Sequence, residues 1–281
     1  MKKYLSPIIS FFKIIFTAYI LFFAGIYLFQ EKLIFYPVGI SKNDLEYIHR
    51  NYPDVKEFYI EANDGKKLHG WVIDNSAKKN YGLVFYFGGN AEEVSHRIRE
   101  MKKLQGWTVI LANYRGYGLS EGKPGQKVLF EDALIIYDHF RYSKNHERSK
   151  VVSMGWSLGT GIAVYLAHER DVDGVFLVSP YDSITNIAKK QYPFIPVKRA
   201  IRHPFDSASI AASIKTPVRI IYGSQDRIIP PANTLALATK WGGPVDVFEV
   251  TGTSHNFLTT SPQYLNYFLE SFEFFSKDRI N

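Results

Sequence analysis

VVSMGWSLGTGIAVYLA, running from Val151 to Ala167, sets one serine between an apolar run and a glycine-rich stretch with helical spacing. Its centre is Gly155-Trp156-Ser157-Leu158-Gly159, a G-x-S-x-G. In a nucleophile elbow the serine occupies a strained strand-to-helix turn that lifts its hydroxyl above a sheet. Small residues two before and two after let the strand and helix backbones approach that closely. The flanks suit the motif: KVVSMG reads as a short buried strand, and LGTGIAVYLAHER continues with apolar helical periodicity. A serine that only caps the helix satisfies one orphan N–H and performs no chemistry. Choosing between nucleophile and cap requires a base and an acid from elsewhere in the chain.

At 281 residues the chain is long enough for one large α/β domain, and an apolar share of 46% supplies ample core. It contains no cysteine, which excludes a disulfide scaffold, a thiolate zinc site and a cysteine nucleophile. A net charge of +7 raises nucleic acid or an anionic membrane as partners. Much of that charge is scattered lysine, as in MKKLQG, so a solvated surface accounts for it and no nucleic-acid partner is expected.

The N-terminus differs in kind. IISFFKIIFTAYILFFAGIYLF, from Ile8 to Phe29, is nearly unbroken apolar sequence with Lys13 as its only charge. At ~1.5 Å per residue it is long enough to cross a hydrocarbon core of ~30 Å. A cleaved signal peptide is the rival reading, but the run is long for one and no small-x-small cleavage site precedes QEKLIFYP. The expected organisation is a single-pass membrane anchor over residues 1–30 and a catalytic domain over 31–281. The lysine and arginine balance slightly favours an inside N-terminus, with the domain on the extracytoplasmic side.

Beyond the anchor, EFYIEANDGKKLHGWVID reads as two strands around an Asn-Asp-Gly turn. YGLVFYFGG is a third strand, EEVSHRIREMKKL a helix, WTVILANYRG a strand and KVLFEDALIIYDHFRY a helix. Strands GVFLVSP, PVRIIYGS and PVDVFEV follow the serine segment, with the helix ANTLALATKW between the last two and an amphipathic helix at the end. Antiparallel strands followed by strand–helix alternation predict an α/β fold, a mostly parallel sheet with helices on both faces. Ligands bind such sheets beyond the C-terminal ends of the strands.

Those strand ends carry the chemistry. RIIYGS runs into QDRIIPP, placing Asp226 just past its end, and VFEV runs into TGTSHNF, placing His255 before the last helix. Chain order is then Ser157, Asp226, His255, the order of an α/β-hydrolase triad. A serine is a poor nucleophile at neutral pH. It needs an imidazole to take its proton and a carboxylate to orient that imidazole. Singly, Asp226 is also a plausible turn residue and His255 a plausible loop histidine. Asp182 in VSPYDS competes for the acid, and His203 in AIRHPFD weakly for the base. Acyl transfer also needs oxyanion donors. One is expected from the backbone N–H of Leu158, the other from Gly89 or Asn90 in FGGNAEE after the third strand. No metal or cofactor is expected.

With those residues in place, the sequence resembles the α/β-hydrolase superfamily, and within it the membrane-anchored branch of α/β-hydrolase-domain proteins grouped with serine aminopeptidase-like hydrolases. The matching segments are QEKLIFYP, FGGNAEEVSHRI, NYRGYGLSEGKPG, GWSLGTGIA, SPYDSI, YPFIPVKRAIRHPFDS, YGSQDRIIP and TSHN. The resemblance implies Ser157 as nucleophile, Asp226 as acid and His255 as base. Two positions depart from it. Relatives commonly carry His-Gly-Asn-Ala where this chain has Gly88-Gly89-Asn90-Ala91, and Asp-Tyr-Arg-Gly where it has Asn113-Tyr114-Arg115-Gly116.

The function expected is a membrane-anchored serine hydrolase of carboxylic esters or thioesters. The alternatives are an aminopeptidase-like peptidase, or a non-catalytic membrane-tethered binding module on a hydrolase fold. Residues 183–212 are too long for a simple crossover and are expected to form a cap over the site. They interleave Tyr192, Phe194, Ile195 and Phe205 with Lys189, Lys190, Lys198, Arg199 and Arg202. The apolar set would line an acyl pocket for a lipid or lipidated substrate, or else is the core face of an amphipathic segment.

Overall fold

The apolar strand sequences assemble into one sheet. A computed structural model describes residues 2–77, 79–143 and 149–277; the outer limits of the two expected domains, Met1 and Asn281, lie outside them. The sheet has eight strands in the order β1-β2-β4-β3-β5-β6-β7-β8. They are β1 (Val55–Glu61), β2 (Lys67–Asp74), β3 (Gly82–Phe87), β4 (Trp107–Ala112), β5 (Lys150–Trp156), β6 (Gly174–Val178), β7 (Val218–Gly223) and β8 (Val245–Val250). β1 pairs antiparallel with β2, and β2 with β4; every other pairing is parallel.

Both faces of the sheet are covered, which is why the central strands read as continuous apolar runs. Along β3, Leu83, Phe85 and Phe87 face one cluster, while Val84 and Tyr86 face the other. The first face is packed by α4 (Gln126–Arg141), α5 (Leu158–Glu169) and α9 (Pro231–Ala238), through residues such as Leu129, Ile162 and Leu237. The second is packed by α2 (Lys42–Asn51), α3 (Ile98–Met101) and α10 (Pro262–Ser276), through Ile48, Met101 and Phe268. Truncating such a buried side chain to alanine typically costs about 2–5 kcal/mol.

Three local readings change. Helix α2, capped by Ser41 Oγ on the Asp44 N–H at 3.1 Å, lies in sequence that gave no helical expectation. EEVSHRIREMKKL is not one helix but a 3₁₀ turn over Val94–Arg97 followed by the single turn α3. There the Val94 N–H is taken by Asn113 Oδ1 at 3.2 Å and the Ser95 N–H by Glu93 at 3.1 Å, so side chains replace the helical ladder. Between β6 and β7 come α6 (Ile184–Gln191), α7 (Val197–Ala200) and α8 (Ser207–Ile210). Phe205 and Ala211 are in the core, so the expected cap stops short of residue 212 and its last part is ordinary crossover.

The N-terminal helix α1 spans Lys2–Ile34, and its Ser10–Ile34 stretch is long and apolar enough to cross a membrane. The boundary expected at residue 30 falls inside this helix. Gln30 is buried against the α7 segment, its Nε2 donating to the Ala200 carbonyl at 3.2 Å and its Oε1 accepting the Arg202 N–H at 2.8 Å.

Candidate active site

The sheet places the site. β3 lies between β4 and β5, so the chain leaves β3 toward one edge and later returns to its other side, which opens a crevice at the strand ends. The loop after β3 and the turn after β5 meet there. Ser157 has φ 49° and ψ −115°, a conformation that non-glycine residues rarely adopt and that costs about 1–3 kcal/mol. The flanking glycines make it attainable. A Cβ on Gly155 would lie 2.5 Å from the Gly159 carbonyl oxygen, and one on Gly159 would lie 2.0 Å from the Phe87 carbonyl oxygen. Strand β5, helix α5 and strand β3 therefore touch backbone to backbone. Ser157 does no capping: its hydroxyl makes no bond to the start of α5.

That hydroxyl faces His255 instead. Ser157 Oγ lies 3.0 Å from His255 Nε2, and His255 Nδ1 lies 2.6 Å from Asp226 Oδ2. Asp226 is buried, and its other oxygen accepts the N–H groups of Ile228 at 2.9 Å and Ile229 at 2.8 Å. The carboxylate is thus fixed by its own turn after β7 and presents one oxygen to the imidazole. The two competitors lie elsewhere. Asp182 binds the Asn233 amide at 2.7 Å and the Asn186 amide, tying α6 to α9. His203 accepts the Gln126 N–H at 3.2 Å, at the start of α4.

The β3 loop is held by a partly buried acid that sequence reasoning passed over. Glu92 Oε2 accepts the Gly89 N–H at 2.6 Å and the Tyr86 hydroxyl at 3.1 Å, while Oε1 pairs with Arg97. Arg97 continues to Glu100 at 3.1 Å and stacks 3.8 Å over Trp156, the residue before the serine. Of the two loop residues expected to offer an oxyanion amide, Gly89 is therefore committed to Glu92, and Asn90 remains. The Asn90 side chain is anchored too: its Oδ1 accepts the Tyr36 N–H at 2.8 Å, the Tyr117 hydroxyl at 3.1 Å and the Ala91 N–H at 3.0 Å. Leu158, as the first residue of α5, carries one of the N–H groups that no helix can satisfy internally.

Both departures from the family pattern have a physical reason. A Cβ at Gly88 would approach the Glu92 carboxylate to 3.0 Å, so Glu92 fills the space a histidine would need. Asn113 donates to the buried Glu93 carboxylate at 2.9 Å and faces His69 Nδ1 at 3.1 Å. An aspartate at that position would set two carboxylates against each other. The sequence signal is the pair of consecutive acids that closes FGGNAEE and opens EEVSHRIREMKKL, a stretch that reads as loop and helix start rather than as a brace.

A cavity of about 310 Å³ opens above Ser157. Tyr192 and Ile195 line it as expected. Phe194 turns outward, 86% exposed, and Phe205 packs into the core against Phe130 and Phe35. Among the described residues, no charged side chain lines the cavity, and no cluster of candidate metal ligands occurs.

Comparison with known proteins places this architecture. Residues 79–203 match the family model described as serine aminopeptidase, S33. The chain is 29% identical over 232 residues to the α/β-hydrolase domain-containing protein WAV2 of Arabidopsis thaliana, covering 75% of each. It is 28% identical over 244 residues to an uncharacterized membrane protein of Saccharomyces cerevisiae, covering 83% of this chain and 85% of that one. An esterase of Pyrococcus furiosus superposes with a TM-score of 0.68 at 19% identity, over 87% of this chain and 98% of the esterase. The fold is thus the α/β-hydrolase fold, and in sequence the chain is similar to α/β-hydrolase-domain proteins.

Proposed function

We propose that the chain is a membrane-anchored serine hydrolase that cleaves carboxylic esters or thioesters through an acyl-enzyme. The observation that carries this reading is the unbroken hydrogen-bond chain Asp226–His255–Ser157 at the base of an apolar cavity. Ser157 Oγ attacks the acyl carbon as His255 Nε2 takes its proton, and Asp226 stabilises the imidazolium. The amides of Leu158 and Asn90 stabilise the developing oxyanion. Comparable donors are worth about 2.7–4 kcal/mol each. The alcohol or thiol leaves with the proton from His255, and water then enters by the same route to release the acid. The candidate span Ser10–Ile34 and the yeast relative named as a membrane protein support anchoring. An aminopeptidase would need an acid to hold the substrate ammonium, and the uncharged cavity lining argues for esters instead.

A fluorophosphonate probe and p-nitrophenyl acetate turnover test the reading together. The parent protein takes the label and hydrolyses the ester. Ser157→Ala loses both, with kcat falling about 10⁴–10⁶-fold. Equal turnover by Ser157→Ala and parent would overturn the proposal.

A further inference from the structure

We propose that helix α1 is itself a wall of the acyl pocket and sets which acyl chains the site accepts. The inference rests on the serine-hydrolase reading and assigns the membrane helix a part in specificity. Part of the lining of the cavity at Ser157 comes from α1, by Ile26, Gln30, Leu33 and Ile34; Ile187 and Ile195 line the same cavity. A helix serving only as a tether has no reason to reach the active-site cavity.

The docking is specific. Gln30 in the wall is 6% exposed, and its amide bridges the Tyr27, Ala200 and Arg202 backbones. Glu31 pairs with Arg202 at 3.4 Å, and the Arg202 guanidinium sits 5.5 Å over the Tyr27 ring. Just past the helix, Phe35 is buried and the Tyr36 N–H is bonded to Asn90 in the oxyanion loop. The wall is therefore fixed with respect to the residues that would polarise the ester.

The dimensions fit membrane-borne chains. With 33 residues, α1 is ~50 Å long, whereas a hydrocarbon core is ~30 Å thick. The helix has a docked portion beyond what crossing requires. Tyr19, within the apolar run, donates its hydroxyl to the Phe194 carbonyl at 2.8 Å. The exposed Phe194 tip thus lies beside the part of α1 that is built for lipid. About 310 Å³ is at the small end of ligand cavities, which run ~300–1,000 Å³. With no charged group lining it, such a space suits a slender, neutral chain. The substrate class is an ester or thioester whose acyl chain is long enough to reach α1.

The test uses the full chain in phosphatidylcholine nanodiscs with p-nitrophenyl acetate, octanoate and dodecanoate. Ile26→Trp fills the pocket from α1, Ile187→Trp fills it from α6, and Ile26→Ala enlarges it. Leu21→Trp alters only the lipid-facing side of α1, where Leu21 is 67% exposed. The octanoate-to-acetate ratio of kcat/KM should fall at least ~10-fold in both filled variants, because room for one methylene discriminates by ~10–200-fold. Ile26→Ala should raise the dodecanoate-to-octanoate ratio, and Leu21→Trp should keep the parent ratios. Parent ratios in both Ile26 variants, with a fall only in Ile187→Trp, would overturn the inference. A parent that hydrolyses none of the three esters would instead overturn the serine-hydrolase reading.

Discussion

Replacing Asp226 by asparagine tests the hydrogen-bond chain at its buried end. Asp226 Oδ1 accepts two backbone N–H groups, from Ile228 and Ile229, and Oδ2 meets His255 Nδ1 at 2.6 Å. An asparagine keeps its oxygen where the two amides point, since turning it around forfeits both bonds. Its NH₂ then faces Nδ1, which must accept, and the imidazole proton moves to Nε2. From there it points at Ser157 Oγ, and His255 no longer takes the serine proton. The same loss of tautomer in Ser–His–Asp hydrolases costs about 10⁴-fold in kcat. That is ~5.4 kcal/mol at ~1.36 kcal/mol per tenfold. Asp182→Asn is the control. It sets a third amide against those of Asn186 and Asn233, at about 1–3 kcal/mol of stability, with kcat essentially kept. The assay is p-nitrophenyl acetate turnover, normalised to the folded fraction by melting. A loss under ~10-fold in Asp226→Asn, or of orders of magnitude in Asp182→Asn, would refute the reasoning.

Two further predictions concern groups around the site. Glu92→Gln loosens the Gly88–Asn90 loop and weakens the pairing with Arg97, so kcat should fall ~10–100-fold with less change in KM, since oxyanion donors act on the transition state. An unchanged kcat would show that the loop needs no such brace. Burial holds the His69 pKa below its ordinary value, and its Nδ1 faces an amide of Asn113. The folded state thus binds fewer protons than the unfolded one, so stability is complete above pH ~6.5 and declines as pH falls below it. Melting temperatures between pH ~7.5 and ~5 should fall more in the parent than in His69→Phe; equal slopes would refute the assignment.

The parts of the fold readable in the sequence were those with a local cause. Gly155 and Gly159 flank Ser157 because three backbones meet there, and that constraint shows as spacing. The strands around it are buried on both faces, which shows as unbroken apolar runs. Asp226 and His255 were legible as loop residues at strand ends, and the structure brings them within hydrogen-bond distance of each other and of Ser157. What escaped was set by partners distant in the chain. Glu92 commits the Gly89 amide only because the loop folds back on Tyr86 and Arg97. Phe194 and Phe205 have like side chains in one amphipathic stretch, yet one faces outward and the other packs on Phe130 from α4. Helix α1 carries a membrane pattern, and nothing local to it announces that Gln30 will find Ala200.

The bond between the Tyr36 N–H and Asn90 has a mechanical consequence. A domain on a flexible linker of n residues sweeps a volume whose radius grows as ~5–6 Å × √n. Here α1 ends at Ile34, and by Tyr36 the chain is already fastened to Asn90 in the loop after β3. The tether has no slack. With α1 in a bilayer, the site keeps one altitude and one heading, and a tilt of the helix is a tilt of the whole domain. Under the proposed function, enzyme and ester would then find each other by lateral diffusion within a single plane, a search in two dimensions in which the surface density of the ester, rather than its bulk concentration, sets the encounter rate.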